Sequence, residues 1–269
     1  MTASVQAGDR TITAAAHGEG EPLLLIHGAM VADAYQPMLD EHDLSCRAVT
    51  YHRRGFLGSS AATTNHTISD EVSDALAVLD HFGIDTAHVA GHSYGGAVAL
   101  QMALDAPDRV HSLVLLEPAL LTVPSAEAFG AAVGPIAELF QAGNHQHALL
   151  AFMELVGGPN PLDRLTHLPP AATEQALADI ATLFTHDLPA LSGWTIDENQ
   201  LSSINKPTLT VLGAESQDIF AEGIALLEAL LPNHEPFRLP GTTHFLQIEQ
   251  PAPVATRVQS FLQHHPIDR

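Results

Sequence analysis

Basic residues are scarce in this chain. Ten lysines and arginines stand against 31 aspartates and glutamates, and Lys206 is the only lysine. Nucleic acids and anionic membrane surfaces bind to clusters of lysine and arginine. The formal net charge of −21 at pH 7 therefore argues against both as partners, and we expect the partner to be a small-molecule substrate.

Cysteine and long apolar runs are also missing. Cys46 is the only cysteine, which excludes an internal disulfide and a cysteine metal cluster. No apolar stretch reaches the length of about 18 residues that could span a bilayer. The first residues lack the basic-then-apolar layout of a secretory signal. We expect a soluble, cytoplasmic protein that is a monomer or a homodimer.

Histidine, in contrast, is abundant, with 17 residues. These histidines are scattered along the chain. Even the close pair His145 and His147 has no carboxylate nearby at the spacing that metal ligands require. We therefore expect no metal site, and no motif indicates a cofactor.

Apolar residues make up 46% of the chain, which is enough for a substantial core. Apolar runs typical of buried strands alternate with runs whose apolar residues recur at helical spacing. This alternation predicts an α/β fold with a mostly parallel, doubly wound sheet. After an opening hairpin over 4–16, the predicted strands cover 23–26, 47–51, 87–90, 110–116, 208–212 and 236–239, and the predicted helices cover 32–44, 69–82, 97–106, 218–231 and 254–262.

The alternation stops between residues 119 and 203, where no segment has a convincing strand pattern. Helical spacing recurs there over 126–141, 146–156, 173–184 and 188–193. Ligands bind at the carboxyl edge of the strands in open α/β sheets, and a long helical insertion is expected to form a lid over that edge. We expect a core of residues 1–118 and 204–269 and a helical cap of residues 119–203.

A Gly-x-Ser-x-Gly pattern at residues 91–95 lies between a predicted strand and a predicted helix. In that context the chain must reverse within a few residues, and the flanking glycines leave room for it to do so. The turn exposes the Ser93 hydroxyl in front of a helix N-terminus. The backbone N–H of Tyr94 points the same way and can bind a developing oxyanion.

A serine hydroxyl needs a base within hydrogen-bond reach, and histidine suits that task. His244 is the candidate, because it follows the last short strand and should reach the same sheet edge as Ser93. His27 ends a strand, where packing is the default role. His92 precedes Ser93 in an extended turn, so its side chain should point away from that of the serine.

The imidazole also needs a carboxylate that fixes its tautomer. Glu117 ends the strand over 110–116, and Glu215 and Asp218 follow the strand over 208–212. A carboxylate at the end of a buried apolar strand is costly unless it has a partner, which favours Glu117. Glu215 and Asp218 remain the alternatives.

Four short motifs together resemble those of one family. They are His27-Gly28 after a strand, Arg-Gly-Phe-Leu-Gly-Ser at 54–59, Gly-His-Ser-Tyr-Gly-Gly at 91–96 and Gly-Thr-Thr-His at 241–244. Over essentially its whole length, the chain resembles the α/β-hydrolase superfamily. In that fold the nucleophile, the acid and the histidine follow one another in this order along the chain.

The resemblance bears on the choice of acid. The family's usual aspartate lies three residues past the glycine that ends the strand before the penultimate helix. Here that glycine is Gly213, and the matching position is Ser216. A subset of the family carries the acid at the end of the preceding strand, where this chain has Glu117. In this respect, and in its expected lid, the chain resembles zearalenone-type lactonases and small esterases.

The resemblance also places the second oxyanion-binding N–H on Ala29, beside that of Tyr94. Bulky apolar residues are expected to line the substrate pocket, namely Met30, Phe129, Phe152, Phe184, Trp194 and Phe245. A serine nucleophile points to an acyl-enzyme, and hence to a carboxylic ester or lactone of a small, largely apolar substrate. The alternatives are hydrolysis of a carbon–carbon bond in a diketone-type substrate and a non-catalytic ligand-binding receptor.

Overall fold

The computed structural model describes residues 2–42, 44–63 and 65–267. Its strands are β1 (Thr2–Ala7), β2 (Arg10–His17), β3 (Pro22–Ile26), β4 (Arg47–His52), β5 (Ala87–His92), β6 (Val110–Leu116), β7 (Thr208–Gly213) and β8 (His234–Leu239). They form one sheet in the order β1-β2-β4-β3-β5-β6-β7-β8. Only the β1–β2 and β2–β4 pairs are antiparallel. The predicted α/β class with a mostly parallel sheet is confirmed.

Strand β3 shows why a continuous apolar run forms a central strand. Successive side chains of a strand point to opposite faces of the sheet. Leu24 and Ile26 accordingly belong to the larger apolar cluster on one face, and Leu23 and Leu25 belong to the cluster on the other face. Because both faces are covered by helices, neither set can be polar.

Helices flank the sheet on both faces. They are α1 (Gln36–Leu39), α2 (Ile68–His81), α3 (Tyr94–Asp105), α4 (Ala126–Gln141), α5 (His145–Gly157), α6 (Pro161–Arg164), α7 (Ala172–Ala178), α8 (Ile180–Thr182), α9 (Leu188–Ser192), α10 (Glu198–Ser203), α11 (Asp218–Leu230), α12 (Leu246–Glu249) and α13 (Pro251–His264). A 3-10 turn covers Pro107–Arg109 and a π-helical turn covers Leu183–Asp187. Across the described residues, no helix combines the length and apolar character that crossing a membrane requires.

The predicted helix over 32–44 is wrong in length, because only the four residues of α1 are helical. Pro37 lacks a backbone N–H and fits only the first turn of a helix, so the helix cannot begin much earlier. The acidic and polar residues 40–42 that follow offer no apolar side chain to pack on the sheet. Residue 43 of the predicted span lies outside the described residues.

Between β6 and β7 the chain forms helices and turns without a strand, and every residue there is described. We call α4 to α10, with their connections, the helical insertion. The predicted helices over 126–141 and 146–156 match α4 and α5. The single helix predicted over 173–184 is instead divided among α7, α8 and the π-helical turn, and α6 and α10 were not predicted. The division into a core and a cap at residues 119 and 203 stays a prediction.

Candidate active site

Ser93 lies at the sharp turn between β5 and α3. Its backbone has φ 54° and ψ −119°, a left-handed conformation that is strained for a residue with a Cβ. The turn is possible because its neighbours are glycines. A Cβ on Gly95 would overlap the carbonyl oxygen of Ile26, and a Cβ on Gly91 would overlap that of Gly95. The sequence therefore forces the serine to the end of the strand, at the mouth of the sheet.

His244 and Glu117 meet at the same sheet edge, although 127 positions separate them in the chain. The Nδ1 atom of His244 lies 2.7 Å from Oε2 of Glu117. The other carboxylate oxygen accepts hydrogen bonds from the Gly213 N–H at 2.7 Å and the Ser216 hydroxyl at 2.6 Å. Glu117 itself has φ 45°, so its backbone is strained as well. Ser216, where the family's usual aspartate would stand, thus supports the carboxylate that lies on the neighbouring strand.

Burial controls the charges of this pair. It lowers the pKa of the His244 imidazole, because a buried cation loses its hydration. It raises the pKa of Glu117, although the hydrogen bonds from Ser216 and Gly213 oppose that rise. The neutral imidazole that results at neutral pH is the form that can accept a proton from a hydroxyl.

Two rings enclose the imidazole of His244. Phe220 stacks on it with ring centroids 3.6 Å apart and planes within 9°, and His92 lies 4.7 Å away on a tilted plane. His92 donates from Nε2 to the main-chain oxygen of His244 at 2.8 Å. The sequence predicts that the His92 side chain points away from that of Ser93, yet both residues line the same cavity, because the turn at Ser93 interrupts the strand alternation. Burial and the nearby His244 lower the pKa of His92 to about 3, so it is a neutral ring.

Tyr94 and Ala29 line the same cavity as Ser93, and no hydrogen bond from either backbone N–H to an acceptor is found among the described residues. The orientation of the Ala29 N–H is fixed through its own peptide plane. The carbonyl oxygen of Gly28, on the opposite side of that plane, accepts from His27 Nδ1 at 2.7 Å and from Arg53 at 3.3 Å. Because the peptide is trans and planar, holding the oxygen aims the N–H the other way.

Arg53 is fully buried beneath this loop and pairs with two carboxylates. It lies 2.8 Å from Glu71 on α2 and 2.7 Å from Asp187 at the end of the π-helical turn. Burial would lower the pKa of Arg53, but the charges of Asp187 and Glu71 outweigh it and raise that pKa. The imidazole of His66 approaches Glu71 and the Tyr94 hydroxyl, both at 3.4 Å. The cluster ties the helical insertion to the sheet.

This cluster is also the place to consider a metal. Ligand atoms of His66, Glu71 and Asp187 lie within 4.8 Å of one another. However, the guanidinium of Arg53 already bonds to both carboxylates and supplies the positive charge that a cation would bring. These residues therefore do not fit a divalent ion, since it would have to share the space with a fixed cation.

The cavity beside Ser93 is lined mostly by apolar side chains. Met30, Phe129, Phe152 and Phe245 lie on its wall together with His244, as the sequence predicts for them. The insertion contributes further lining residues, namely Val156, Leu183, Asp187, Leu188 and Leu191, and α11 contributes Ile219 and Phe220.

Two predicted lining residues lie elsewhere. Trp194 borders a separate surface groove, and its ring N–H donates to Gln101 at 2.8 Å. Phe184 does not reach the cavity wall, because it stacks on Phe140 with centroids 4.8 Å apart and packs edge-on against Phe152. Both are corrections to the expected lining, and both arise because these side chains pack against their own neighbours.

Neither alternative acid has a hydrogen bond to the imidazole among the described residues. Glu215 is exposed and pairs with Arg164 at 3.6 Å. Asp218 is exposed at the first position of α11. Of the three carboxylates that the sequence leaves open, Glu117 is the one that the structure brings into contact with His244.

Arg53, Asp187 and Phe220 are among the site residues that were missed from the sequence. Two consecutive arginines after β4 are conspicuous in a chain this poor in basic residues, and that signal could have indicated a buried ion pair at Arg53. Asp187 and Phe220 gave no such signal. Asp187 lies in a π-helical turn, which the sequence pattern does not reveal, and Phe220 has the pattern of an ordinary core residue of a helix.

The comparisons with known proteins agree with the fold. A family model described as "Alpha/beta hydrolase family" matches residues 23–257. The carboxylesterase YbfK of Bacillus subtilis is 26% identical, with 96% of this chain and 86% of that protein covered. A 2-hydroxymuconate semialdehyde hydrolase of Pseudomonas putida is 24% identical, with 91% and 88% covered.

A solved esterase from Thermogutta terrifontis superimposes with a TM-score of 0.81 at 20% identity, with 99% of each chain covered. Identity this low shows the fold alone. The chain spans only 37–42% of the length of three other curated relatives that it matches. The family model covers most of the chain, and on that ground the chain belongs to the alpha/beta hydrolase family.

Proposed function

We propose that the protein is a serine hydrolase that cleaves a carboxylic ester or lactone of a small, largely apolar substrate through an acyl-enzyme. One observation carries the proposal. Ser93 and His244 border one cavity, and the far side of the imidazole is held 2.7 Å from the buried carboxylate of Glu117. A nucleophile, a base and an orienting acid in this relation are the groups that acyl transfer requires.

In the proposed first step, Ser93 Oγ bonds to the substrate carbonyl carbon while its proton moves to Nε2 of His244. The carbonyl electrons move onto oxygen, and the N–H groups of Ala29 and Tyr94 stabilise that oxyanion. When the carbonyl re-forms, the bond to the leaving oxygen breaks, and that oxygen takes the proton from His244. The products of this step are a Ser93 acyl ester and an alcohol, which stays attached if the substrate is a lactone.

A water molecule completes the proposed cycle. His244 accepts one proton from the water as its oxygen bonds to the acyl carbon, and the same proton returns to Ser93 Oγ when the ester bond breaks. Glu117 stays ionised throughout and stabilises the transient imidazolium. The helical insertion, acting as a cap, excludes bulk water from the cavity, and no cofactor takes part.

Two alternatives remain to be separated from this proposal. A carbon–carbon hydrolase would use the same serine on a diketone, and one relative is named for a semialdehyde substrate. A ligand-binding receptor would retain its ligand without turnover. The full set of Ser93, His244 and Glu117 supports an enzyme, and the name carboxylesterase of another relative supports ester cleavage.

The test is labelling with a fluorophosphonate probe, followed by assays on aryl esters, lactones and ring-cleavage diketones. We expect Ser93→Ala to abolish labelling and to lower kcat/KM on the best ester by several orders of magnitude, up to about 10⁶. Ser73→Ala, which removes an exposed serine hydroxyl on α2, is the matched control and should label like the wild type. A loss below tenfold in Ser93→Ala would remove this residue from the mechanism.

A further inference from the structure

We infer that the site selects uncharged substrates and rejects carboxylate-bearing ones, and that Asp187 is the residue that determines this preference. The inference rests on the proposed function, because it concerns the same cavity. It narrows the substrate class from a small apolar ester to one that carries no negative charge on its acyl part.

The first observation is the composition of the cavity wall. Apart from the residues at the reacting centre and their neighbour Tyr94, Asp187 is the polar side chain on it. The lining taken from the described residues includes no lysine and no arginine. A substrate carboxylate would therefore lose its hydration without meeting a cation, which is strongly unfavourable in an apolar site.

The second observation is that Arg53 has no spare donor for a substrate. Its Nε donates to the His27 carbonyl at 3.2 Å, and one terminal nitrogen donates to both Glu71 and Asp187. The other terminal nitrogen donates to Asp187 and to the Gly28 carbonyl. The guanidinium is fully buried and is already bonded at each nitrogen.

The third observation is the charge of the buried cluster. One guanidinium stands against the two carboxylates of Glu71 and Asp187, which leaves one negative charge when His66 is uncharged. Arg54 does not offset this charge, because it has its own partner in Asp74 at 2.7 Å. Of these two carboxylates, Asp187 is the one on the cavity wall. An anionic substrate in the cavity would face this charge.

Local backbone geometry explains why an aspartate is held there. Asp187 ends the π-helical turn, in which the Leu188 N–H bonds back to the Leu183 carbonyl, five residues earlier. Pro189 follows and has no N–H to restore the ordinary helical bond, so the wider turn is retained. The start of the turn is tied to the loop after β4 by the bond from the Thr182 hydroxyl to the Gly55 carbonyl at 2.7 Å. The backbone of the insertion therefore holds the Asp187 carboxylate in a fixed position, where it pairs with Arg53.

The experiment compares three activated esters at pH 8, well above the ordinary pKa of histidine. They are 4-nitrophenyl pentanoate, the mono-4-nitrophenyl ester of glutaric acid, and the methyl-capped form of that glutarate. The acyl groups of the first two esters have the same number of carbon atoms, but only that of the glutarate ends in a charged carboxylate. The third restores neutrality at greater length, so it separates charge from size. Rates are divided by the hydroxide-catalysed rate of each ester.

We expect wild-type kcat/KM for the pentanoate to exceed that for the free glutarate by at least about thirtyfold, which is the effect of two like charges at an assumed separation of about 8 Å and an effective dielectric constant of about 20. The methyl-capped glutarate should recover at least about half of that difference on a logarithmic scale. Equal kcat/KM for all three esters would overturn the inference, and this arm requires no variant to fold.

The variant arm uses Asp187→Asn, which keeps the shape and removes one charge from the cavity wall. We expect the pentanoate-to-glutarate ratio to fall at least about tenfold. Asp179→Asn removes a partly exposed carboxylate of the same insertion that does not line the cavity, and it should leave the ratio at the wild-type value. A folded Asp187→Asn protein with an unchanged ratio would contradict the role of this residue.

The outcome also distinguishes the two proposals. If none of the neutral esters is hydrolysed in a manner that depends on Ser93, the proposed function fails. If the neutral esters are hydrolysed through Ser93 and the free glutarate ester is hydrolysed equally well, only the inference on charge fails.

Discussion

The carboxyl edge of the sheet and the helical insertion face each other across one cavity, yet they are built in different ways. At the sheet edge, Ser93, Glu117 and the strands that carry them are fixed by ladder hydrogen bonds. The Ser93 N–H donates to the Leu116 carbonyl at 3.0 Å, and the Glu117 N–H donates to the Val211 carbonyl at 3.3 Å. In the insertion, position depends on side-chain packing and on a few polar ties, such as Asp187 with Arg53.

The difference between the sheet edge and the insertion shows where a strained backbone conformation can be maintained. Ser93, Glu117 and Met30 all have positive φ, and all three lie at or beside the sheet edge. A left-handed residue with a Cβ costs roughly 1–3 kcal/mol and persists only where the surroundings determine it. At the sheet edge, the hydrogen bonds between the parallel strands hold these residues in that conformation. In the insertion the left-handed residue with a Cβ is Asn160, and asparagine adopts this conformation more readily than most residues, while the helices there adjust through irregular turns.

The largest expected effect tests the sheet edge. Glu117→Gln keeps the shape of the acid but stabilises neither the correct tautomer nor the imidazolium, so we expect kcat to fall by about 10³–10⁴. Asp218→Asn and Glu215→Gln alter exposed carboxylates and should stay within about threefold of the wild type. Steady-state kinetics on one aryl ester decide the question. A crippled Asp218→Asn beside an active Glu117→Gln would reverse the assignment.

A double substitution sharpens the same comparison. The Ser216 hydroxyl bonds to the Glu117 carboxylate at 2.6 Å, so a carboxylate at position 216 would start close to the same imidazole. We expect Ser216→Asp to restore kcat of Glu117→Gln by at least about tenfold. Ser216→Ala in the same background is the control and should restore nothing.

The next effect concerns the pH profile. Burial lowers the pKa of His244, so the neutral base persists below the ordinary histidine range, and protonation of the imidazole should lower log kcat/KM only below about pH 6.5. Burial also raises the pKa of Glu117 to about 7, so a loss of rate that begins near that pH belongs to the acid. Phe220→Leu removes the ring that stacks on His244 and admits water to the imidazole. This should raise the pKa of His244 and move the acid limb of the profile to higher pH. Phe237→Leu, on β8, is the matched control. An acid limb that is the same in all three proteins would contradict this reasoning.

The smallest effect tests the insertion. Phe129 lines the cavity, and Phe129→Ala should lower kcat/KM for a six-carbon acyl ester by about tenfold, as expected for lost contact in an apolar pocket. Trp194 contacts Gln101 outside the cavity, and Trp194→Phe should change kcat/KM by less than about twofold. The reverse order of effects would place the substrate in the groove beside Trp194.

Most of the sheet and its edge could be predicted because the relevant signals are local. A continuous apolar run such as 113–116 indicates a buried strand in this context, and the glycines at 91 and 95 specify the turn at Ser93. Parallel strands end at a common edge, so residues that follow them meet there however far apart they lie in the chain. Glu117 and His244 follow this rule.

The insertion could not be predicted to the same depth. Helical spacing indicates that a face is apolar, but it does not say which neighbour that face meets. Phe152 and Phe184 have the same character in the sequence, yet only Phe152 reaches the cavity, because Phe184 stacks on Phe140. Asp187 belongs to a turn with five-residue spacing, which no ordinary helical pattern reveals.

The bonds of Arg53 have a consequence for how molecules enter and leave. One guanidinium holds the Gly28 carbonyl, behind the Ala29 N–H, and Asp187 on the insertion. Lifting the insertion as a rigid body would separate a buried ion pair, at about 3–5 kcal/mol. We therefore expect substrate and product to pass between side chains at the edge of the cavity, while the helical insertion stays bound to Arg53 during each turnover.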